Sequence, residues 1–297
     1  MSDTLQTLRR KIHGAGELES VVRTMRAISA ASIGQYERAV LALGDYYRTV
    51  ELGLLACLRQ PQFGRAKPAP AATGADTIGA VVFGSDQGLV GQFNDTMAEF
   101  IIRELAGLPG QKTVWAVGDR IHSRLSEAGL RVARGFSVPN SVNSITPIVG
   151  SILIECDAHR AACDRSQVYI FHQRPKAGAI CEPVIQRLLP LDEHWRSGIA
   201  KLAWPTQNLP APVGSVERTL ESLIREYLFV SLFKACAESL ASENASRLAA
   251  MQRAKSNIDQ IQEDLGRTFH QLRQNAIDDE LFDLIAGFDA LVQEKTR

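Results

Sequence analysis

The residues of this chain with the most obvious chemical potential lie in "GSDQGLVGQFN", residues 84–94. Gly84, Gly88 and Gly91 resemble the glycines of a backbone cradle for phosphate, and Ser85 sits among them. A P-loop needs a Lys-Ser/Thr pair after its glycines and a dinucleotide site needs GxGxxG; neither pattern is present. Ser85 also lacks the GxSxG frame of a nucleophile elbow. The loop therefore reads as a structural strand-to-helix turn. Cys156, His159 and Cys163 have ligand-like spacing, with His172 following. A zinc site needs a fourth ligand in tetrahedral closure, whereas Ile145, Val149, Ile152, Cys156 and Cys163 already form the inward stripe of one helix. No HExxH, paired CxxC or Ser-His-Asp order appears elsewhere. The chain is expected to carry no catalytic, cofactor-binding or metal-binding residues of its own.

The elements that surround these residues fall into blocks. The chain has 297 residues, 45% of them hydrophobic, which is enough for a substantial core. Its 33 basic residues balance 33 acidic ones, so no overall field draws it to nucleic acid or to an anionic membrane. No apolar run approaches the ~18 residues of a membrane span, and the N-terminal "MSDTLQTLRRKIHGAGELES" lacks a signal-peptide core. A soluble, cytoplasmic, bacterial protein without direct membrane insertion is expected. Five cysteines, Cys57, Cys156, Cys163, Cys181 and Cys236, sit mostly in apolar patterns and suit reduced core thiols.

Residues 1–58 carry Leu5, Leu8, Ile12, Ala15, Val22, Met25, Tyr36, Leu43, Tyr47, Val50 and Leu54 at helical steps, weakened locally by Gly14, Gly16, Gly34 and Gly44. Residues 59–75, rich in Pro, Ala and Gly, form a linker. Residues 76–204 alternate: strands at "IGAVVF", "KTVWAV", "LRVARGF", "QVYIFHQ" and "EPVIQRLLPL" are interleaved with helices at "NDTMAEFIIRELAGL", "DRIHSRLSEAG" and "SITPIVGSILIECDAHRAAC". The first helix has an Asn or Asp cap and the last has Pro147 in its first turn. This alternation indicates an α/β domain with a largely parallel sheet. Residues 205–214 break the pattern, and 215–297 are helical almost throughout.

The first and last helices end and begin at the same middle domain, so they should run antiparallel as a coiled coil. At 1.5 Å per residue, about 55 residues reach roughly 80 Å and about 78 reach roughly 115 Å, so the last helix overhangs. Its surplus end places Leu281, Leu284, Ile285, Phe288 and Leu291 on one face. At roughly 25 cal/mol per Å², leaving that stripe in water is unfavourable by several kcal/mol. A partner must cover it. Lys255 and Gln262 are polar where a packed seam is apolar; they either fix register or mark where a third surface meets the coil. The basic residues Arg9, Arg10, Lys11, Arg23 and Arg26 form a solvated face or meet an acidic protein partner.

Three segments carry a family resemblance. "LRRKIHGAGELESVVRTMRAISAAS", "SDQGLVGQFN" and the ungapped 242–291 stretch look like the signature regions of the gamma subunit of F-type ATP synthases. The resemblance implies a coiled coil of the N- and C-terminal helices with an inserted Rossmann-like α/β domain. It also implies alpha and beta subunits in an alpha3beta3 hexamer, an epsilon subunit and a c ring as partners, at the cytoplasmic face of a bacterial plasma membrane. The implied role is a rotor shaft coupling proton or sodium flow to ATP synthesis or hydrolysis. Residue by residue, it implies that Arg23, Met25, Arg273, Gln274, Asp278 and Glu280 meet beta-subunit loops, and that Leu281, Leu284, Ile285, Phe288 and Leu291 turn in the hexamer sleeve. Gln87, Gly88, Gly91 and Asn94 fall at the rotor foot, on the c ring and epsilon side. The family's "SDRGLCGGFN" has become Gln87, Val90 and Gln92 here, and its Thr has become Asp278, an acid that an acidic beta-subunit loop would repel. Two rival readings remain open: a non-enzymatic tether carrying an α/β module, and a nucleotide-binding enzyme with a dimerising coil.

Overall fold

The computed structural model describes residues 2–60, 77–163, 165–176, 179–191, 193–208 and 214–295, and the side chains of all of these except 2, 3, 179, 193, 194 and 287–295. Most of the two expected linkers falls outside the described residues. Helix α1 runs over Ser2–Leu58 and passes through Gly14, Gly16, Gly34 and Gly44 without a break. A Cβ at any of these four glycines would meet nothing within 4 Å, so they cost helix propensity, about 1 kcal/mol each, and relieve no clash. The other long helix, α6, covers Val216–Lys295.

Between them lie β1 (Thr77–Phe83), α2 (Phe93–Ala106), β2 (Gln111–Val117), α3 (Asp119–Glu127), β3 (Val132–Phe136), a short 3-10 turn (Val142–Ser144), α4 (Ile145–Ala162), β4 (Ser166–Lys176), β5 (Ala179–Leu189) and α5 (Glu193–Ala200). The strands form one sheet in the order β3-β2-β1-β4-β5. β1 pairs in parallel with both β2 and β4, and β5 returns antiparallel to β4. The chain steps outward from β1 to β3 and then crosses to β4 on the other side. That reversal makes the carboxyl ends of β1 and β4 a topological switch point, where open α/β sheets have a crevice.

Both faces of the sheet are covered. Ile78, Ala80, Val82 and Phe171 pack with Met97, Ile101 and Leu105 of α2 and Ile121 and Leu125 of α3. Val81, Phe83, Val168 and Ile170 pack with Ile145, Val149, Ile152 and Cys156 of α4, and with Leu54, Leu55, Leu232, Cys236 and Leu240 of the two long helices. The compact units are Met1–Ile28 with Leu248–Arg297, and Ser29–Arg247. The later half of α1 and the start of α6 share a core with the sheet, because their inward stripes meet the apolar face of β1 and β4. In each unit the two helices are antiparallel: Arg9 lies over the Phe269 ring and Arg26 donates to Gln252 in one, while Tyr46 donates to Glu226 and Gly53 faces Leu223 in the other.

Three local expectations need correction. Helix α5 is missing from the sequence reading, since "EHWRSGIA" has only Trp195 and Ile199 on one face and too few turns to show a period. Helix α2 has no side-chain cap: Gln92 occupies the cap position, and the Asn94 amide is engaged by Ser85 instead. Cys163 is extended at the end of α4 and half-buried, so the inward stripe stops at Cys156.

The loop after β1 is held at close quarters. A Cβ on Gly84 would lie 2.3 Å from Ile121 Cβ, whereas one on Gly88 would meet nothing within 4 Å. Gly84→Ala is therefore expected to destabilise the chain by about 2 kcal/mol and Gly88→Ala by under about 0.5 kcal/mol, a contrast that denaturant unfolding monitored by far-UV circular dichroism will measure.

Candidate functional site

At the switch point the chain's own polar groups occupy the place where a ligand would sit. Ser85, fully buried, donates its N–H to Asn94 Oδ1 (3.1 Å), accepts from Asn94 Nδ2 (2.8 Å) and donates its hydroxyl to the Gln87 carbonyl (2.8 Å). Asp86 accepts the Asp119 N–H at the start of α3 (3.1 Å) and the Val138 N–H (3.0 Å). It caps a helix that has no cap of its own, with a negative charge at the favourable end of the helix dipole. These bonds pin the glycine-rich loop from within.

Helix α6 closes the crevice with a polar stretch inside its apolar stripe. Ser239, Ser242, Glu243, Asn244 and Ser246 are all buried. Ser242 donates to the Gln173 carbonyl at the end of β4 (3.2 Å), and Glu238 Oε2 lies 2.8 Å from His172 Nε2. The Arg247 guanidinium donates to Glu243 (2.5 Å). Burial pushes the Glu243 carboxyl above its ordinary range and nearby Asp86 adds to this, while Arg247 pulls it back. The "SENASR" segment thus reads as the surface that docks α6 onto the sheet.

The glycine loop lies level with residues 242–247, about 26 residues and roughly 40 Å along α6 from its start. Gln87, Gly88 and Gly91 are exposed there, with Leu89 beside them at φ 63°. Asn94 is only 4% exposed and serves Ser85. His159 packs edge-on against Trp115 at 5.4 Å, which accounts for its place near Cys156; the Cys156 thiol is pushed up to about 12 by burial. Among the described residues no cluster of three or more His, Cys, Asp and Glu could hold a metal ion.

In the other unit, Glu19 takes an ion pair from Arg23 (2.7 Å) and a hydrogen bond from Gln262 (3.5 Å), which hold its carboxyl below the usual range. Lys255 pairs with Asp259 on its own helix (2.7 Å). The polar seam residue Gln262 therefore reaches across the coil to Glu19, while Lys255 makes its hydrogen bonds within its own helix and acts on Glu19 only through its charge. Arg23 is exposed and Met25 half-buried. Arg273, Gln274, Asp278 and Glu280 are all exposed. So are Leu281, Leu284 (72%) and Ile285, joined by Ile277 and Phe282 (68%). The side chains of Phe288 and Leu291 lie outside the described residues. The sequence reading missed Leu18, Val21 and Ile28, exposed apolar residues that flank Arg23 and Met25 on α1. Their signal was apolar residues falling off the inward stripe.

A family model described as ATP synthase matches residues 4–291. The chain belongs to the ATP synthase family. Among its relatives, the ATP synthase gamma chain of Methylibium petroleiphilum is 24% identical over 291 residues, covering 96% of this chain and 98% of that one. The gamma chain of Pasteurella multocida is 22% identical over 289 residues with the same coverage. Among solved structures, a chain of the Euglena gracilis mitochondrial ATP synthase OSCP/F1/c-ring structure in rotational state 3 matches with a TM-score of 0.66 at 17% identity, covering 100% of this chain and 97% of that chain. A rotor chain of the same enzyme in rotational state 1 gives 0.61 at 15% identity, covering 93% and 100%. The fold read from the sequence, two long helices around an α/β domain, is the fold of these chains.

The Glu243–Arg247 pair yields a test within this family member. Removing the cation leaves a buried carboxylate, so Arg247→Met is expected to cost about 3 kcal/mol near neutral pH. The folded-state pKa of Glu243 is already raised and rises further without Arg247. Protonation then relieves the penalty, and the deficit should shrink as pH falls toward the ordinary carboxylate range. Urea unfolding of both proteins across pH measures this.

Proposed function

We propose that this chain is the central rotor shaft, the gamma subunit, of an F-type ATP synthase. The observation that carries this reading is the end of α6. From Ile277 to Ile285 its apolar residues are exposed, on a helix of 80 residues whose partner α1 has 57. An exposed stripe of this kind marks an interaction surface. Leu281, Leu284 and Ile285, continued by Phe288 and Leu291, turn in the sleeve of an alpha3beta3 hexamer. Arg23, Met25, Arg273, Gln274, Asp278 and Glu280 meet beta-subunit loops. Among the described residues no helix is long and apolar enough to cross a membrane, and the chain attaches peripherally through an epsilon subunit and a c ring at the cytoplasmic face of a bacterial plasma membrane.

The chain has no catalytic site of its own and binds no cofactor; its polar groups at the switch point are engaged by one another. It acts as a differential ligand. Flow of protons or sodium ions turns the c ring, the shaft turns with it, and its asymmetric surface favours a different conformation at each beta subunit in turn; ATP hydrolysis reverses the cycle. Such contacts must be individually weak. A shaft held several kcal/mol better at one of three positions would stall there, and exposed ion pairs of ~0–1 kcal/mol avoid that. Asp278 then faces a partner loop less acidic than the family's usual one.

The test is to tag the chain within residues 65–74, purify it gently from native membranes and weigh the assembly by native mass spectrometry. One copy with three each of two larger ATPase subunits is expected. A lone chain, a homodimer or an assembly without those subunits contradicts the proposal and favours the tether.

A further inference from the structure

Resting on the rotor reading, the geometry points to Gln173 and Ser242 as the positioning residues that lock α6 to the α/β domain, so that twist applied to the sheet reaches the shaft. Gln173, 1% exposed, lies at the end of β4 where three elements converge. Its side-chain amide donates to the Phe93 carbonyl at the start of α2 (2.6 Å) and its side-chain oxygen accepts from Cys181 of β5 (2.5 Å). Its backbone carbonyl accepts from Ser242 of α6 (3.2 Å). One residue thus binds the covering helix on one face, the neighbouring strand and the shaft helix on the other.

The surrounding apolar contacts cannot do the same. Leu232, Cys236 and Leu240 hold α6 on the sheet through apolar burial, which resists separation but has little directional preference. Small rotations and slides of a helix over an apolar surface exchange one set of contacts for another. A hydrogen bond is directional and short-ranged, and a buried one is costly to leave unmade. The Ser242 hydroxyl therefore fixes both the height and the rotation of α6 at the switch point. His172 reaches Glu238 one turn earlier on the same helix, so two successive β4 residues grip α6 four residues apart.

The same helix supplies a control. Ser239 is buried like Ser242, yet its hydroxyl has no hydrogen-bond partner among the described residues. Ser239→Ala removes an equal volume from α6 without removing a bond to the sheet.

The experiment uses the whole membrane-bound complex carrying Gln173→Leu, Ser242→Ala or Ser239→Ala. Subunit content, ATP hydrolysis and ions pumped per ATP are read in inverted vesicles. For Gln173→Leu and Ser242→Ala, hydrolysis per complex stays within about twofold while ions pumped per ATP fall about threefold, and Ser239→Ala matches the unaltered complex. Simple destabilisation lowers complex content and both activities in proportion. The proposal is overturned if Ser242→Ala pumps as many ions per ATP as the unaltered complex, or if Ser239→Ala impairs pumping equally. Should Gln173→Leu fail to assemble, Ser242→Ala decides alone. Failure of the rotor reading looks different: the unaltered chain then purifies without ATPase subunits or pumping.

Discussion

The structure is governed by a mismatch in length between two helices that need each other. Helix α6 has 80 residues and α1 has 57, and no antiparallel pairing of the two can cover all of α6. Where α1 is present, α6 buries an inward stripe against it, from Leu223 beside Gly53 to Phe269 beside Arg9. Past that point the apolar pattern continues through Ile277, Leu281, Phe282, Leu284 and Ile285, all exposed among the described residues. Apolar side chains that propensity would tolerate in a helix are left in water, and only a second molecule can remove them from it.

The α/β domain supplies the opposite condition. There α6 is overcommitted: Leu232, Cys236 and Leu240 enter the core of the sheet, and the polar run that follows enters its carboxyl edge. An open parallel sheet of this topology usually keeps that edge for a ligand. Here Ser85 and Asn94 bond each other, Asp86 takes the Asp119 and Val138 N–H groups, Ser242 donates to the Gln173 carbonyl, and Glu243 takes Arg247. The fold thus retains the geometry of a binding crevice and uses it to seat a helix.

How much of this was legible follows from the range of the interactions involved. The helices and strands were readable because Val81, Ile101 or Ile152 repeat with a period inside one element. The overhang was readable because it needs only helix lengths and the run from Leu281 to Ile285. The spacing of Cys156 and His159 was readable as packing, and the Trp115 ring supplies the contact. What could not be read were pairings across long separations. Nothing local in "SDQGLVGQFN" shows that Asp86 caps α3, or that Asn94 turns back to Ser85 and leaves α2 uncapped. The loop's position beside 242–247 depends on strand direction relative to α6, which a list of elements does not contain.

The central claim is rotation, and single-molecule observation addresses it most directly. With the hexamer fixed to glass and a bead attached through Ile154→Cys, an exposed position on α4, ATP should drive the bead in one direction with three pauses per turn, roughly 120° apart, as a three-fold ring requires. A complex that hydrolyses ATP at its normal rate while the bead shows only confined, undirected motion would contradict the account.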